Sequence, residues 1–79
     1  MEKGLISAKD IVKKFNLAYH TLNYYTTIGL LTVVKKNGSA RLYDEVAVLE
    51  KLKKIQAMML EGYTLRLIRK KLQEEEDKR

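Results

Sequence analysis

Four polar side chains fall on one face of a short predicted helix, and none of them is negatively charged. In the stretch HTLNYYTTIGLL, spacings of 3, 4 and 7 residues bring together His20, Asn23, Tyr24 and Thr27. At about 100° per residue, this face lies opposite Leu22 and Tyr25. Neutral hydrogen-bond donors and one flat aromatic ring suit contacts with base edges and phosphates. The stretch therefore predicts a helix that faces nucleic acid.

A cluster of positive charge follows this helix in a predicted hairpin. Residues 31 to 34 and 41 to 43 are strand-like runs, and Asn37-Gly38 between them is a strong signal for a tight turn. The hairpin displays three cations, Lys35, Lys36 and Arg41. Cations at such a position bind the phosphate oxygens of a polyanion. They also suit a solvated edge that resists aggregation, and the sequence leaves both roles open.

The first helix is predicted to begin at a cap. Ser7 is a good N-cap residue, and Asp10 follows three residues later in a pattern like a capping box. Apolar residues then recur at intervals of three and four, at Ala8, Ile11, Val12 and Phe15. The pattern predicts a short amphipathic helix with one buried face.

The second helix carries the polar face. It is predicted to run from Tyr19 to about Thr27, after a three-residue connection, and a glycine near its C-terminal end stops it. The adjacent tyrosines divide between its two sides, with Tyr25 in the core and Tyr24 projecting outward. Two short helices joined by a tight turn form a helix-turn-helix, here residues 5 to 28.

Two further helices are predicted after the hairpin. Asp44 caps the third helix and Gly62 ends it, and its predicted core positions are Val48, Leu49, Leu52, Ile55 and Met59. Thr64 caps the fourth helix, whose inward face is Leu65, Ile68 and Leu72. Its outward cations are more typical of a solvated face than of a contact surface: Arg66, Arg69 and Lys70. The final QEEEDKR has no apolar face and is predicted to be a frayed helical end or a tail.

Length and composition limit the function classes. With 79 residues, the chain is predicted to be one domain (residues 1 to 79), divided into the helix-turn-helix, a wing at 31 to 43, a helix pair at 44 to 72 and a charged tail at 73 to 79. A domain of this size leaves no room for a deep catalytic cleft. It has no cysteine, one histidine, and no set of nucleophile, base and orienting residue. We therefore expect no enzyme activity, no metal site and no cofactor.

The charge balance indicates the kind of partner. The net charge is +6, of which +5 falls in residues 1 to 43. A basic N-terminal half favours a polyanionic partner through counterion release, although a basic pI alone is common in small domains. No apolar run approaches the roughly 18 residues of a membrane-spanning helix, so we expect a soluble protein of the cytoplasm and nucleoid with no membrane partner.

The order of these motifs closely resembles the DNA-binding domain of the MerR family of bacterial transcription regulators. The resemblance covers about residues 5 to 72. It is carried by HTLNYYTTIGLL in the second helix, RLYDE after the hairpin, and EGYTLRLIRKKL near the end. Each motif alone would mean little, whereas the combination is fairly specific.

The residues and the resemblance together predict a mainly α fold with a small β-hairpin, a winged helix-turn-helix of four helices and a two-stranded wing. Its second helix would enter the major groove of double-stranded DNA. The expected groove residues are Tyr19, His20, Asn23, Tyr24 and Thr27, with Thr21 near a phosphate. The expected backbone contacts are Lys35, Lys36, Arg41 and Lys54. Tyr43 is either a phosphate contact or the post that fixes the wing.

The resemblance also implies a regulatory role. Such proteins repress promoters, or activate them by distorting an over-long spacer between promoter elements, under control of a C-terminal effector domain. They usually dimerise through a long C-terminal helix, and this sequence stops where that helix would begin. We expect a DNA-binding domain of a longer protein or a short relative without an effector domain, with a homodimer through such a helix as one expected assembly.

Four positions depart from the family pattern. Asn23 stands where arginine is usual, Thr26 where an acidic residue is usual, Ala18 where a capping serine is usual, and Val33 where proline is common. The first change removes an expected phosphate contact, and the second removes an expected carboxylate partner of Arg41. We therefore expect DNA binding with altered specificity or lower affinity.

Two other functions remain open from the sequence. Phage excisionases have a similar winged helix, so an architectural protein that bends DNA is one alternative. A module that binds an acidic protein, such as an antirepressor that imitates the charge of DNA, is the other. Strong bending would favour the first, and weak duplex affinity with tight binding of the acidic partner would favour the second.

Overall fold

The structure, a computed structural model, describes residues 4 to 77. Its elements in chain order are β1 (Leu5–Ser7), α1 (Ala8–Lys14), α2 (Tyr19–Thr27), β2 (Lys35–Asn37), β3 (Ala40–Asp44), α3 (Glu45–Leu60) and α4 (Leu65–Asp77). The predicted architecture is confirmed: four helices and a small antiparallel hairpin, consistent with a winged helix-turn-helix. None of the helices among the described residues is long and apolar enough to cross a membrane.

Side-chain caps start three of the helices, as the sequence predicts. The Ser7 hydroxyl accepts from the Asp10 amide at 3.2 Å and starts α1. An Asp44 carboxylate oxygen accepts from the Ala47 amide at 3.0 Å and starts α3. In the same way, Thr64 caps α4. Each cap satisfies a backbone N–H that lacks a partner within the helix.

The turn of the helix-turn-helix depends on a residue in the left-handed region. Asn16 has φ 51° directly after the end of α1, and the Leu17 amide donates back to the Val12 carbonyl at 3.1 Å. Such a bond closes a helix C-terminus and reverses the chain, and asparagine tolerates the positive φ better than most residues. Gly29, with φ 87°, performs the same reversal after α2.

The hairpin belongs to a three-stranded sheet in the order β1-β3-β2. β1 pairs antiparallel with β3, so that Ile6 lies opposite Tyr43. This strand was not predicted, because a three-residue run beside a helix cap shows no alternation. The tight turn is also one residue later than predicted: Asn37 pairs with Ala40, and Gly38, with φ 64°, is the first of its two central residues.

The prediction of a strand at residues 31 to 34 is wrong. The strand that pairs with β3 is β2, at Lys35–Asn37, and Val34 adds one bond to the Leu42 carbonyl at 2.8 Å. Leu30 and Leu31 are instead buried in the core, each only 3% exposed. This apolar run joins the core because burial of leucine outweighs its weak preference for a strand.

The core lies between the helices and the inner face of the sheet. Its most completely buried large side chains are Tyr43, Ile11, Leu22 and Ile68. Two core predictions for α3 are wrong, since Leu49 is 38% and Met59 47% exposed. The buried stripe of α3 is centred on Val48 and Ile55, so those two side chains turn away from it. They line an open apolar cleft of about 630 Å³.

The fourth helix is longer than predicted. α4 continues to Asp77, so residues 73 to 77, predicted to be a frayed helical end or a tail, extend the helix. Lys54 of α3 pairs with Glu75 of α4 at 3.2 Å, which joins the two helices in that extension. The predictions for residues 1 to 3 and for residues 78 and 79 lie outside the described part of the chain.

Candidate nucleic-acid interface

α2 presents its polar residues to solvent and its apolar residues to the core. Tyr24 is 51% exposed, whereas its neighbour Tyr25 is buried, so the predicted division of the tyrosine pair is confirmed. Tyr19, His20 and Thr27 are also exposed, and Thr21 and Asn23 are half-buried. Burial raises the pKa of the Tyr25 phenol, because its ionised form would lose hydration. The exposed face of α2 thus remains polar and aromatic without a carboxylate.

Arg41 connects this face to the wing. Its guanidinium donates to the Asn23 side-chain oxygen. Its Cζ atom also lies 6.0 Å from the centre of the Tyr19 ring and 5.9 Å from that of Tyr43, within the range of cation–π attraction. The substitution of Thr26 for the usual acidic residue therefore does not deprive Arg41 of a partner, since Asn23 takes that place. An arginine held in this way would lose fewer conformations on binding an anion than a freely mobile side chain would.

Tyr43 fixes the wing from inside the core. Its side chain is completely buried, and its hydroxyl is 2.9 Å from the Thr26 hydroxyl. Thr26 in turn donates to the Leu22 carbonyl at 2.9 Å within α2. The sequence left two roles open for Tyr43, a phosphate contact and a residue that fixes the wing. These contacts favour the second role, because a completely buried side chain has no surface to offer a phosphate.

The wing concentrates positive charge on two adjacent strands. Lys35 and Lys36 lie on β2 and are exposed, and the register places Lys36 directly opposite Arg41 of β3. Like charges directly opposite in an antiparallel pair are destabilising by roughly 0.2–1 kcal/mol. An anion bound over this pair would relieve the repulsion, which gives the wing a physical reason to bind one.

The contacts do not join Lys54 to this cluster. Its ammonium engages Glu75 of α4, and both side chains are more than half exposed. A phosphate contact by Lys54 would therefore compete with an ion pair. Since exposed ion pairs contribute little, that competition costs less than about 1 kcal/mol.

Comparison with known families decides what kind of domain this is. Residues 6–75 match the family model described as MerR HTH family regulatory protein. The chain belongs to the MerR family. Membership identifies this MerR-family chain as a DNA-binding transcription regulator domain and points to a role that is not enzymatic. No curated protein and no solved structure shows significant similarity to it.

Sequence reasoning did not predict the contact that Arg69 makes in this MerR-family domain. Arg69 of α4, predicted to belong to a solvated face, donates its Nε–H to the carbonyl of Ile28 at the end of α2. The sequence held one signal for it, because α2 has no basic residue in its own last turn. Helix C-termini attract cations, but sequence alone did not show which distant cation would reach this one.

Proposed function

We propose that the chain binds double-stranded DNA with α2 in the major groove and the wing on the adjacent phosphate backbone. The single observation that supports this best is the Arg41–Asn23 bond, which makes the polar face of α2 continuous with the cationic strands of the wing. A helix fits the major groove, and a positively charged extension beside it suits the phosphates that flank the groove.

On this proposal, α2 reads bases mainly with Asn23 and Tyr24. The Arg41 guanidinium takes one of the two lone pairs of the Asn23 side-chain oxygen, so that oxygen is partly engaged while the amide keeps its two N–H donors. Bidentate recognition of adenine needs the oxygen as well, whereas guanine O6 and N7 or thymine O4 need donors only. We therefore expect Asn23 to favour base edges that accept hydrogen bonds. Tyr24, which is 51% exposed, offers its ring and hydroxyl from the same face.

The wing then supplies affinity that does not depend on sequence. The proposed backbone contacts are Thr21, Lys35, Lys36 and Arg41, with Tyr43 positioning the wing and Lys54 as a peripheral contact. The three cations among these contacts correspond to a slope of about −3 in a plot of log affinity against log salt, because only a phosphate neutralised by a cation releases a counterion. Repulsion between Lys36 and Arg41 falls when a phosphate binds between them, which adds to that affinity.

Fluorescence anisotropy with a labelled mixed-sequence duplex, titrated from about 50 to 200 mM salt, tests the proposal. Arg41→Ala should weaken binding to every duplex and reduce the salt slope by about 1. Lys53→Ala is the matched control, because it removes one charge from the side of the domain that carries the apolar cleft. Equal effects of the two variants, or no binding by the wild type at the lowest salt, would contradict the proposal.

Base reading needs a separate measurement. Asn23→Ala should reduce discrimination between a selected site and its single-base variants by roughly 1–3 kcal/mol, while leaving the salt slope unchanged. Tyr24→Ala should weaken specific binding more than binding to random duplex. An equal loss of affinity for all sequences in both variants would show that these residues contact the DNA backbone and do not read bases.

The proposal extends to assembly and location. We propose that the protein acts on DNA in the cytoplasm, and that it binds as a homodimer when it carries the long C-terminal helix that the family resemblance implies, so sedimentation of such a chain with a labelled duplex should give two chains per duplex. One chain per duplex would contradict the homodimer. The alternative function is binding of an acidic protein partner. Weak binding of mixed-sequence DNA, together with displacement of the duplex by an acidic protein, would favour that alternative.

A further inference from the structure

α2 ends without a charge of its own to stabilise its C-terminus. Its last turn contains no basic residue, and its cap residue is Ile28. The carbonyls at a helix C-terminus carry about half a negative charge and lack partners within the helix. Backbone N–H groups beyond the end satisfy two of them: the Leu30 amide donates to Tyr25 at 2.8 Å, and the Gly29 amide donates to Thr26 at 3.2 Å.

A cation from the far end of the chain reaches this terminus. Arg69 donates its Nε–H to the Ile28 carbonyl across a separation of 41 residues. Arg69 lies between Ile68, which is completely buried, and the buried Leu72, so the helix that carries it is fixed in the core. The guanidinium therefore projects from a rigid element toward the end of α2.

The residues that line the cleft beside Arg69 offer it no negatively charged side chain. A shallow cleft of about 150 Å³ lies between the end of α2, α3 and α4, and it is lined by Ile28, Gly29, Leu30, Lys51, Arg69, Leu72 and Gln73. These described residues include a second cation and no carboxylate. An arginine beside a lysine gains from a negative partner, and the carbonyl end of α2 provides one.

We propose that Arg69 is a positioning residue that holds the C-terminal turn of the DNA-reading helix through the Ile28 carbonyl. The DNA consequence rests on the proposed function, whereas the effect on α2 does not. The turn it holds includes Tyr24, whose carbonyl accepts from the Ile28 amide at 3.0 Å, and Thr27. If this turn frays, these two side chains lose their fixed positions on the exposed face.

Hydrogen exchange of the protein without DNA tests the contact directly. Arg69→Ala should accelerate exchange of the Ile28 and Leu30 amides about fivefold, the factor that corresponds to a lost hydrogen bond of about 1 kcal/mol. Arg66→Ala, which removes an exposed charge from the same helix, is the matched control and should leave these amides unchanged. Arg69→Lys should recover part of the protection, since it restores the charge without the planar guanidinium.

The salt dependence of DNA binding distinguishes positioning from direct contact. If Arg69 acts through α2, Arg69→Ala should reduce affinity several-fold with an unchanged salt slope. A slope reduced by about 1, as for a lost phosphate contact, would overturn the proposal, and so would unchanged exchange at both amides. If the wild type bound no DNA but exchange still accelerated, the proposed function would fail while the role of Arg69 in α2 stood.

Discussion

α2 and α3 are both helices of this small domain, yet different parts of the chain hold them. α3 has 16 residues, a side-chain cap from Asp44 and an acidic residue, Glu45, in its first turn. α2 has nine residues, an N-cap at Ala18 without a side-chain bond, and no acidic residue in its first turn. Isolated helices shorter than about 12–15 residues are marginal in water. α3 therefore contains much of its own stabilisation, and α2 obtains it from elsewhere.

The difference has a cause in the proposed role of α2. A carboxylate at its N-terminus would stabilise the helix but would repel the phosphates that the helix must approach. Its threonines also bond back to the helix, with Thr27 donating to the Asn23 carbonyl at 2.8 Å, which tends to weaken a helix slightly. On the proposed function, α2 thus gives up local stability in order to approach DNA, and the contacts from Arg41, Tyr43 and Arg69 compensate.

Removal of the buried Tyr43 side chain, which supports α2 from the core, should cause the largest loss of stability. Tyr43→Ala should lower the free energy of unfolding by about 3–5 kcal/mol, because it empties a completely buried site beneath α2. Urea unfolding followed by circular dichroism measures this. Tyr24→Ala, at an exposed position of α2, should change stability by no more than about 0.5 kcal/mol. Similar losses in the two variants would show that Tyr43 does not support α2.

Two adjacent threonines allow a test of the hydrogen bond between Tyr43 and α2. Thr26→Val should cost about 1–3 kcal/mol, because it leaves the buried Tyr43 hydroxyl without its partner. Thr27→Val removes only a bond within α2 and should cost less than about 0.5 kcal/mol. Combining Thr26→Val with Tyr43→Phe should restore part of the loss, since both polar partners are then gone. Strictly additive effects would contradict coupling through this bond.

Adding a side-chain cap to α2 and removing the one that starts α3 should make the local stabilities of the two helices more alike. Ala18→Ser should raise the free energy of unfolding by about 0.5–1 kcal/mol, since the extended backbone at Ala18 suits an N-cap. Asp44→Ala should lower it by about 1 kcal/mol. Thermal unfolding of both variants provides the measurement. No gain from Ala18→Ser would mean that α2 is already fully supported at its N-terminus.

The smallest expected effect appears at alkaline pH. Burial raises the pKa of Tyr25 above its ordinary value of 10.0, so the folded state keeps the proton longer than the unfolded state. The resulting stabilisation is complete below about pH 10 and is lost as pH rises through the folded pKa. Tyr25→Phe should therefore lose less stability than the wild type as the pH rises above about 10. Parallel pH profiles would contradict this.

Sequence reasoning succeeded where a local pattern determines the structure. Ser7, Asp44 and Thr64 were each identified as caps from their own neighbourhood, and the structure confirms all three. The inward turn of Tyr25 and the outward turn of Tyr24 followed from helical angle alone. The overall winged fold followed because helix, hairpin and helix signals appear in the chain in that order.

It failed where the answer depends on packing between distant segments. β1 needs β3 to become a strand, and a three-residue run carries no sign of that pairing. Leu49 and Met59 fit an apolar stripe by spacing, yet the rotation of α3 about its axis is set by what packs against it. The site shows the same limit. The Arg41–Asn23 and Arg69–Ile28 contacts join residues 18 and 41 positions apart, and no local pattern shows which two residues meet.

The contacts that hold α2 from outside also set an order in time. Arg41, Tyr43 and Arg69 all follow α2 in the chain, and a ribosome delivers them only after the helix-turn-helix has emerged. A nascent chain that ends before Tyr43 contains the whole of α2 but not the buried tyrosine that supports it, and one that ends before Arg69 lacks the cation at the C-terminus of α2. We therefore expect the exposed face of α2 to reach its final geometry only after Arg69 has left the exit tunnel, rather than when the residues of α2 themselves emerge.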